Sequence, residues 1–135
     1  MNAPDTIWTA VCDEAAAEID REPILAGFLH TTILKHKTLE SSLSYHLAGK
    51  LMSESLSMML VRELIDETIA ANTDIGRAVR ADLQAVFDRD PASHGYLTPF
   101  LYFKGFHALQ SYRIAHWLWT HDRRVLAVHL QNRIS

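Results

Sequence analysis

The segment from Thr98 to Trp119 restricts the folds open to this chain more than any other part of the sequence. Its apolar residues would lie on most sides of a helix, and they are Phe100, Leu101, Phe103, Phe106, Leu109, Tyr112, Ile114, Trp117 and Leu118. A surface helix carries one apolar stripe, whereas a helix that is apolar on most sides is buried among others. Thr98 and Pro99 are typical of an N-cap and a first helical position. We therefore predict a central helix that begins at Thr98 and is enclosed by other helices.

A polar elbow, residues 90–96, separates this central helix from a helix that ends at about Asp88. The earlier helix carries apolar residues three or four positions apart, at Val79, Leu83, Val86 and Phe87. Because Pro91 has no N–H and disfavours helical angles in the residue before it, we expect Asp90 in an extended or turn conformation. Asp90 is thus a carboxylate on irregular backbone between two helices, where ligand-binding groups often occur. An aspartate before a proline is also ordinary turn chemistry, so the residues alone leave both interpretations open.

The rest of the sequence shows helical spacing of apolar residues, with no sustained alternation and no hairpin signal. Asp5, Thr38 and Ser55 are typical N-caps, and Gly49 is a candidate stop signal. The other predicted helices run from Asp5 to about Asp20, Glu22 to His36, Thr38 to about Leu51, Ser55 to Ala71, Ile75 to Asp88, and Val125 to the end of the chain. We predict an all-α fold, a compact multi-helix domain of about six to eight helices.

Length and composition fit one folded domain. The chain has 135 residues, of which 48% are hydrophobic and 21% charged. Its net charge of -3 gives no basic surplus for nucleic acid, and no apolar run approaches the ~20 residues that span a bilayer. The single cysteine, Cys12, has no partner for a disulfide within the chain, and the sequence shows no secretory signal. We expect a cytoplasmic protein with no nucleic-acid or membrane partner, in which Cys12 has a packing role.

Eight histidines raise the question of a metal or catalytic site. No pair has the H-x-x-x-H or H-E-x-x-H spacing, and no E-x-x-H occurs, so we predict no metal site. His107 and His116 lie on the predicted central helix, where hydrogen-bonded structural histidines are common. His94 lies in the elbow, close enough to Asp90 in sequence to shape the edge of a site.

Eight segments carry a resemblance to a known family in the same order. They are EPILAGF at 22–28, LKH at 34–36, LSYHLAGKL at 43–51, DLQAV at 82–86, RDPA at 89–92, TP at 98–99, YFKGFHALQSYRIAHWLW at 102–119 and LQNRIS at the end. Together they resemble the amino-terminal helical domain of bacterial serine O-acetyltransferase. The resemblance covers nearly the whole chain, and KGFHALQ followed by a histidine-tryptophan helix is its most specific part.

The resemblance implies that residues 1–135 are an amino-terminal helical domain. In the family this domain is followed by a left-handed β-helix of hexapeptide repeats, which carries the catalytic histidines and the acetyl-CoA groove. The sequence stops at Ser135, so the resemblance implies no β-helix, no catalytic residue and no bound cofactor in this part, with acetyl-CoA as a co-substrate of the parent enzyme. We expect these residues alone to be inactive.

The resemblance also assigns a binding site. Asp90 matches the aspartate of the family's RDP motif, which contributes to the L-serine pocket, and Pro91 follows it in the same motif. L-Cysteine, the end product of the pathway, occupies the same pocket as a feedback inhibitor. The implied partners are a second copy of the domain, which joins two trimers into a hexamer, and O-acetylserine sulfhydrylase, which docks on a carboxyl-terminal tail beyond Ser135.

Two other interpretations stay open at this point. One is a free-standing helical oligomerisation or adaptor module that kept the fold without the catalysis, and the other is an unrelated helical enzyme or metal protein. A reading frame that continues past Ser135 into hexapeptide repeats would favour the acetyltransferase, whereas a stop codon there would favour the module.

Overall fold

A computed structural model of the chain describes residues 5–90 and 95–134. Within these ranges it has eight α-helices and no β-strand. The helices are α1 Thr6–Arg21, α2 Ala26–Leu29, α3 Leu39–Leu51, α4 Met58–Ala71, α5 Asp74–Arg89, α6 Leu97–Tyr102, α7 Lys104–Thr120 and α8 Arg124–Gln131. The predicted all-α class and helix number are confirmed.

Two helical hairpins, α3–α4 and α7–α8, form the most extensive contacts, and α7 also packs on α4, α5 and α6. The largest side chains of the core include Phe100, Leu29, Ile33, Leu43, Leu47, Ile65, Leu83, Ile114, Leu118 and Leu130. The prediction that the central helix is enclosed on most sides is wrong in one respect. Leu109 and Tyr112 are 41% and 51% exposed, because the neighbouring helices cover only the opposite side of α7.

The predicted single helix from Thr98 to Trp119 is two helices, α6 and α7, divided at Phe103. Phe103 has extended angles, φ -79° and ψ 108°, and its N–H donates to the carbonyl of Pro99. Helix α6 begins at Leu97, so Pro99 is its third residue rather than its first. This position tolerates proline, because the first N–H groups of a helix have no partner within it.

Other helix boundaries also differ from the predictions. Ser57 caps α4 instead of Ser55, because the Ser53 side chain accepts from the N–H of Leu56 and closes a separate turn there. Helix α3 ends at Leu51, the last of its predicted apolar residues, so Gly49 lies inside the helix and is not its stop signal. Helix α8 ends at Gln131, short of the end of the chain, with Asn132 as its C-cap.

The predicted second helix is also irregular. It comprises a 3-10 turn at Pro23–Leu25, the short α2 and a π-helical turn at His30–Leu34. Leu29 at the end of α2 and Ile33 in the π turn are buried in the core, whereas Ile24 in the 3-10 turn is 90% exposed.

A charged cluster ties the first, third and fifth helices together. Arg80 of α5 pairs with Asp5, the N-cap of α1, and with Glu40 in the first turn of α3. The Arg80 Nη1 to Glu40 Oε2 distance is 2.7 Å. Hydrogen bonds from Arg80 lower the pKa values of both carboxyl groups. The cluster therefore fixes the position of α5, the helix that leads into the elbow.

The N-caps of α1 and α3 are the residues that the sequence predicts. The side chains of Asp5 and Thr38 each accept a hydrogen bond from the backbone N–H three residues ahead.

Cys12 is half-buried in α1. The pKa of its thiol is raised mainly by burial and to a smaller extent by the negative charges of Asp13 and Asp5. Among the described residues, no helix has the length and apolar character to cross a membrane.

Candidate functional site

Asp90 is the C-cap of α5 and is exposed to solvent. Its backbone has left the helix, with φ -135° and ψ 81°, and its N–H donates to the carbonyl of Val86 at 3.2 Å. The predicted extended or turn conformation of Asp90 is therefore confirmed. Pro91 and His94 lie outside the described residues.

The far end of the elbow is held by a carboxylate from α1, in an arrangement we call the Glu14 clasp (Glu14, Gly95, Tyr96 and Leu97). The half-buried Glu14 carboxylate accepts from the N–H of Tyr96 at 3.0 Å and from the N–H of Leu97 at 3.1 Å. Helix α6 begins at Leu97, and its N-cap Tyr96 makes no side-chain capping bond. Glu14 thus supplies the cap for α6 from a different helix.

Tyr96 also fastens the elbow to α5. Its ring stacks on Phe87, with centroids 4.9 Å apart and an 18° angle between the planes. Its hydroxyl donates to Oε1 of Gln84 at 3.0 Å. The elbow therefore leaves α5 at Asp90 and returns to the side of the same helix at Tyr96.

Two histidines hold the opposite end of α6. In a helix that continued past Phe103, the carbonyls of Phe100 and Leu101 would accept backbone N–H groups four residues ahead. Instead, Nε2 of His107 donates to the Phe100 carbonyl at 2.8 Å, and Nε2 of His46 donates to the Leu101 carbonyl at 2.9 Å. The side chains thereby satisfy carbonyls that the break at Phe103 leaves open.

These two histidines pack against each other, with ring centroids 5.1 Å apart. Burial, together with the positive charge that His107 and Lys50 would add, lowers the pKa of His46 to about 4. Burial also lowers the pKa of His107. Both rings are therefore neutral near pH 7, with the proton on Nε2 where the carbonyl accepts it. His107 is a hydrogen-bonded structural histidine, as predicted, whereas His116 is exposed and stacks on Tyr112.

An open groove of about 600 Å³ lies beside the elbow, between the second half of α5 and the start of α7. Arg89, the residue before Asp90, lines it together with Asp82, Tyr102 and Lys104. A second open groove of about 630 Å³ lies along the exposed side of α7, near Tyr112 and His116. Of these two grooves, the first adjoins the α5 end of the elbow through Arg89.

The described surroundings of Asp90 favour a cationic group. In the described ranges, no three His, Cys, Asp or Glu side chains come together as metal ligands. Asp90 adds a carboxylate at the C-terminal end of α5, where the helix dipole is negative and favours a cation. The local field therefore suits a cationic group, such as the ammonium of an amino acid.

Comparison with known proteins identifies the family. The model of the family described as "Serine acetyltransferase, N-terminal" matches residues 7–111. The chain belongs to this family. A curated serine acetyltransferase of Salmonella typhimurium is 50% identical over 131 residues, which are 97% of this chain and 48% of that protein. The chain thus spans about half the length of the curated relatives it matches.

Solved serine acetyltransferases share the fold of this family member. The Neisseria gonorrhoeae enzyme in complex with serine has a TM-score of 0.92 and 45% identity, over 99% of this chain and 55% of that one. A serine acetyltransferase in complex with cysteine has a TM-score of 0.93 and 47% identity, and the match covers 96% of this chain and 54% of that one. A serine acetyltransferase in complex with CoA also has a TM-score of 0.93 and 47% identity, and the match covers 96% of this chain and 55% of that one.

The sequence of this family member does not indicate the contacts of Glu14 and His46. Glu14 lies 82 residues before Tyr96, and its position on α1 carries no sign of what it contacts. A local signal lies at the other end of the contact, because Gly95 can adopt the positive φ of 96° that it has just before α6. The hydrogen bond of His46 could not be predicted either. Its acceptor, the carbonyl of Leu101, is available because the helix breaks at Phe103.

Proposed function

We propose that residues 1–135 are the amino-terminal, substrate-binding half of a cytoplasmic serine O-acetyltransferase. The enzyme would transfer acetyl from acetyl-CoA to the hydroxyl of L-serine and give O-acetylserine for cysteine biosynthesis. The observation that carries this proposal is the match to Salmonella typhimurium serine acetyltransferase over 97% of the chain. The single cysteine in the chain agrees with a reducing cytoplasm.

Asp90 and Pro91 are the substrate-binding residues of this proposal. The exposed Asp90 carboxylate lies at the negative end of α5, so it is suited to accept the ammonium group of L-serine in a charge-assisted hydrogen bond. Pro91 restricts the backbone immediately after Asp90, because its ring fixes φ. L-Cysteine has the same ammonium and carboxylate groups as L-serine. Asp90 would therefore bind the inhibitor as well as the substrate.

The chain alone should not catalyse the reaction. The serine hydroxyl is a poor nucleophile at neutral pH and needs a general base. The resemblance places that base and the acetyl-CoA groove in the β-helix, and the relatives are about twice as long as this chain. We expect no release of free CoA thiol from acetyl-CoA and L-serine by pure residues 1–135. The full-length enzyme carrying this chain is the positive control, and turnover by the chain alone at a comparable rate would contradict the proposal.

A second candidate function is a helical assembly module. The exposed apolar side of α7, with Leu109 and Tyr112, favours a role in self-association. We propose that this half serves both purposes, with a second copy of itself as its partner and a closed dimer as the simplest assembly. Sedimentation equilibrium should show dimers or larger species at tens of micromolar, and a monomer throughout would contradict it.

O-Acetylserine sulfhydrylase is not expected to bind these residues. The resemblance assigns that contact to the carboxyl-terminal tail of the full-length enzyme. Capture of the sulfhydrylase by immobilised residues 1–135 would contradict this assignment.

A further inference from the structure

The first half of α7 carries three polar residues on one side, Lys104, His107 and Ser111. They are three and four positions apart, so they lie one above the other along the helix. Lys50 in the last turn of α3 and Arg133 after the end of α8 meet this side of α7. These five residues are part of the lining of a pocket of about 150 Å³, which we call the cationic pocket. Its volume suits a ligand much smaller than those of ordinary clefts, which start at ~300 Å³.

The charge around the cationic pocket has one sign. Lys50, Lys104 and Arg133 are cations, and no carboxylate of the described residues lines the pocket. Within the described part of the chain, neither lysine forms an ion pair. The pKa of His107 is lowered by burial and also by the positive charge of Lys50, which therefore acts at the pocket wall. The pocket is thus a region of positive potential.

Arg133 is held in place at the edge of the pocket. Its Nη2 donates to the carbonyl of Met52, the C-cap of α3, at 2.9 Å. A guanidinium carries five N–H donors, so this bond leaves others available. Arg133 can therefore hold the end of α3 and bind an anion at the same time.

Ser111 adds a buried donor. It is 3% exposed, and among the described residues its hydroxyl has no hydrogen-bond partner. Two other buried serines differ from it, since Ser42 donates to the carbonyl of Thr32 at 2.6 Å and Ser44 donates to the carbonyl of Arg62 at 3.3 Å. Buried polar groups are nearly always hydrogen-bonded, so an unpaired hydroxyl in the lining of a pocket indicates a ligand that accepts its proton.

We propose that the cationic pocket binds a free oxyanion of the size of phosphate or sulfate. Such an ion accepts hydrogen bonds on every oxygen, and it would be bound by the three cations and by the Ser111 hydroxyl together. It would connect the end of α3, the first half of α7 and the segment after α8. Asp90 does not line this pocket, so the anion site is separate from the proposed serine site.

The first test is a titration of isotope-labelled residues 1–135, which have a hydrophobic core of their own, with inorganic phosphate and then with sulfate. Amide NMR signals of Lys50, Lys104 and Ser111 should shift and reach saturation with both ions. Sodium chloride at the same ionic strength should not reproduce these shifts, because screening of exposed charges has no preferred site. Shifts that do not saturate, or that chloride reproduces, would overturn the proposal.

Two variants assign the site. Lys50→Gln should raise the dissociation constant for phosphate on the order of tenfold, because a charge-assisted hydrogen bond is lost. Lys37→Gln removes the same charge from an exposed position outside the pocket lining and should leave the constant unchanged. Lys104 is unsuitable for this purpose, since it also lines the groove beside the elbow. Equal constants in Lys50→Gln and Lys37→Gln would contradict the assignment.

Ser111→Ala distinguishes a ligand-binding serine from a structural one. It should weaken phosphate binding severalfold without lowering the melting temperature in phosphate-free buffer, because its hydroxyl has no bond within the described residues to lose. Ser42→Ala is the matched control and should lower the melting temperature while keeping the affinity for phosphate. If Ser111→Ala is destabilised and binds phosphate as the wild type does, Ser111 is structural and the proposed site is wrong.

A carboxylate from the segment after Ser135 is the other possible source of negative charge, and the full-length enzyme that carries this chain distinguishes the two. Phosphate should raise the melting temperature less in full-length Lys50→Gln than in full-length Lys37→Gln, because a ligand stabilises the folded state that binds it. If the two variants respond alike although residues 1–135 bind phosphate, another part of the enzyme fills the pocket and the proposal of a free anion is overturned.

Discussion

Lowering the pH from 7.5 to 5 should remove about 2 kcal/mol of folding stability through His46, and about 3 kcal/mol by pH 4. His46 is neutral in the folded protein because burial lowers its pKa from 6.5 to about 4. In the unfolded chain it binds a proton near its ordinary pKa. Stability is therefore complete above pH 6.5 and is lost as the pH falls towards about 4.

The neighbours of His46 act in the same direction. His107 has its ring 5.1 Å away, and its pKa is also lowered by burial, so two positive charges would have to form side by side. Lys50 adds a further positive charge near both rings. The carboxyl groups of Asp5 and Glu40 have lowered pKa values and contribute mainly below this range. The loss between pH 7.5 and 5 thus reports chiefly on buried histidines.

Urea unfolding of His46→Gln at several pH values measures this effect. Glutamine keeps an N–H donor for the carbonyl of Leu101 but does not titrate, so the slope of stability against pH should fall by the amount attributed to His46. His116→Gln, at an exposed position of α7, is the control and should keep the wild-type slope. An unchanged slope in His46→Gln would show that His46 titrates alike in the folded and unfolded protein, and it would contradict this prediction.

The sequence predicted the helices better than their junctions. Asp5 and Thr38 identified two helix starts, because an N-cap is a local interaction within four residues. The break at Phe103 was missed because the segment around it is apolar throughout and has helical spacing on both sides. The break also leaves open a carbonyl that accepts from His46, a residue of another helix, and this contact has no signal in the local sequence.

The same distinction applies to the candidate site. The conformation of Asp90 followed from Pro91, its neighbour in the sequence. The Glu14 clasp could not be predicted, because it joins residues 82 positions apart and needs the packing of α1 against α6. The proposed role of Asp90 rests on the family resemblance, since an exposed aspartate at the end of a helix has no distinctive sequence pattern.

Asp90→Ala in the full-length enzyme should weaken L-serine binding about 10- to 150-fold. This range corresponds to about 1.5 to 3 kcal/mol for the loss of a hydrogen bond to a charged group. Inhibition by L-cysteine should weaken by a similar factor, because the ammonium group that Asp90 would bind is common to both amino acids. The KM for acetyl-CoA should be almost unchanged, since the proposed acetyl-CoA groove lies in the other half of the enzyme.

Asp88→Ala is the matched control for this prediction. Asp88 is also exposed near the end of α5, and it accepts a hydrogen bond from Gln84 at 2.9 Å within the same helix. It differs from Asp90 in lying before the elbow, on regular helical backbone. Its replacement should leave the affinities for serine, cysteine and acetyl-CoA at their wild-type values.

The most direct measurement is therefore the KM for L-serine and the Ki for L-cysteine of Asp90→Ala and Asp88→Ala, each with its melting temperature. We predict that both constants rise at least tenfold in Asp90→Ala only, with little change in melting temperature. If Asp90→Ala instead leaves both constants unchanged and lowers the melting temperature by several degrees, Asp90 is a structural residue of the turn and the proposed serine site is wrong.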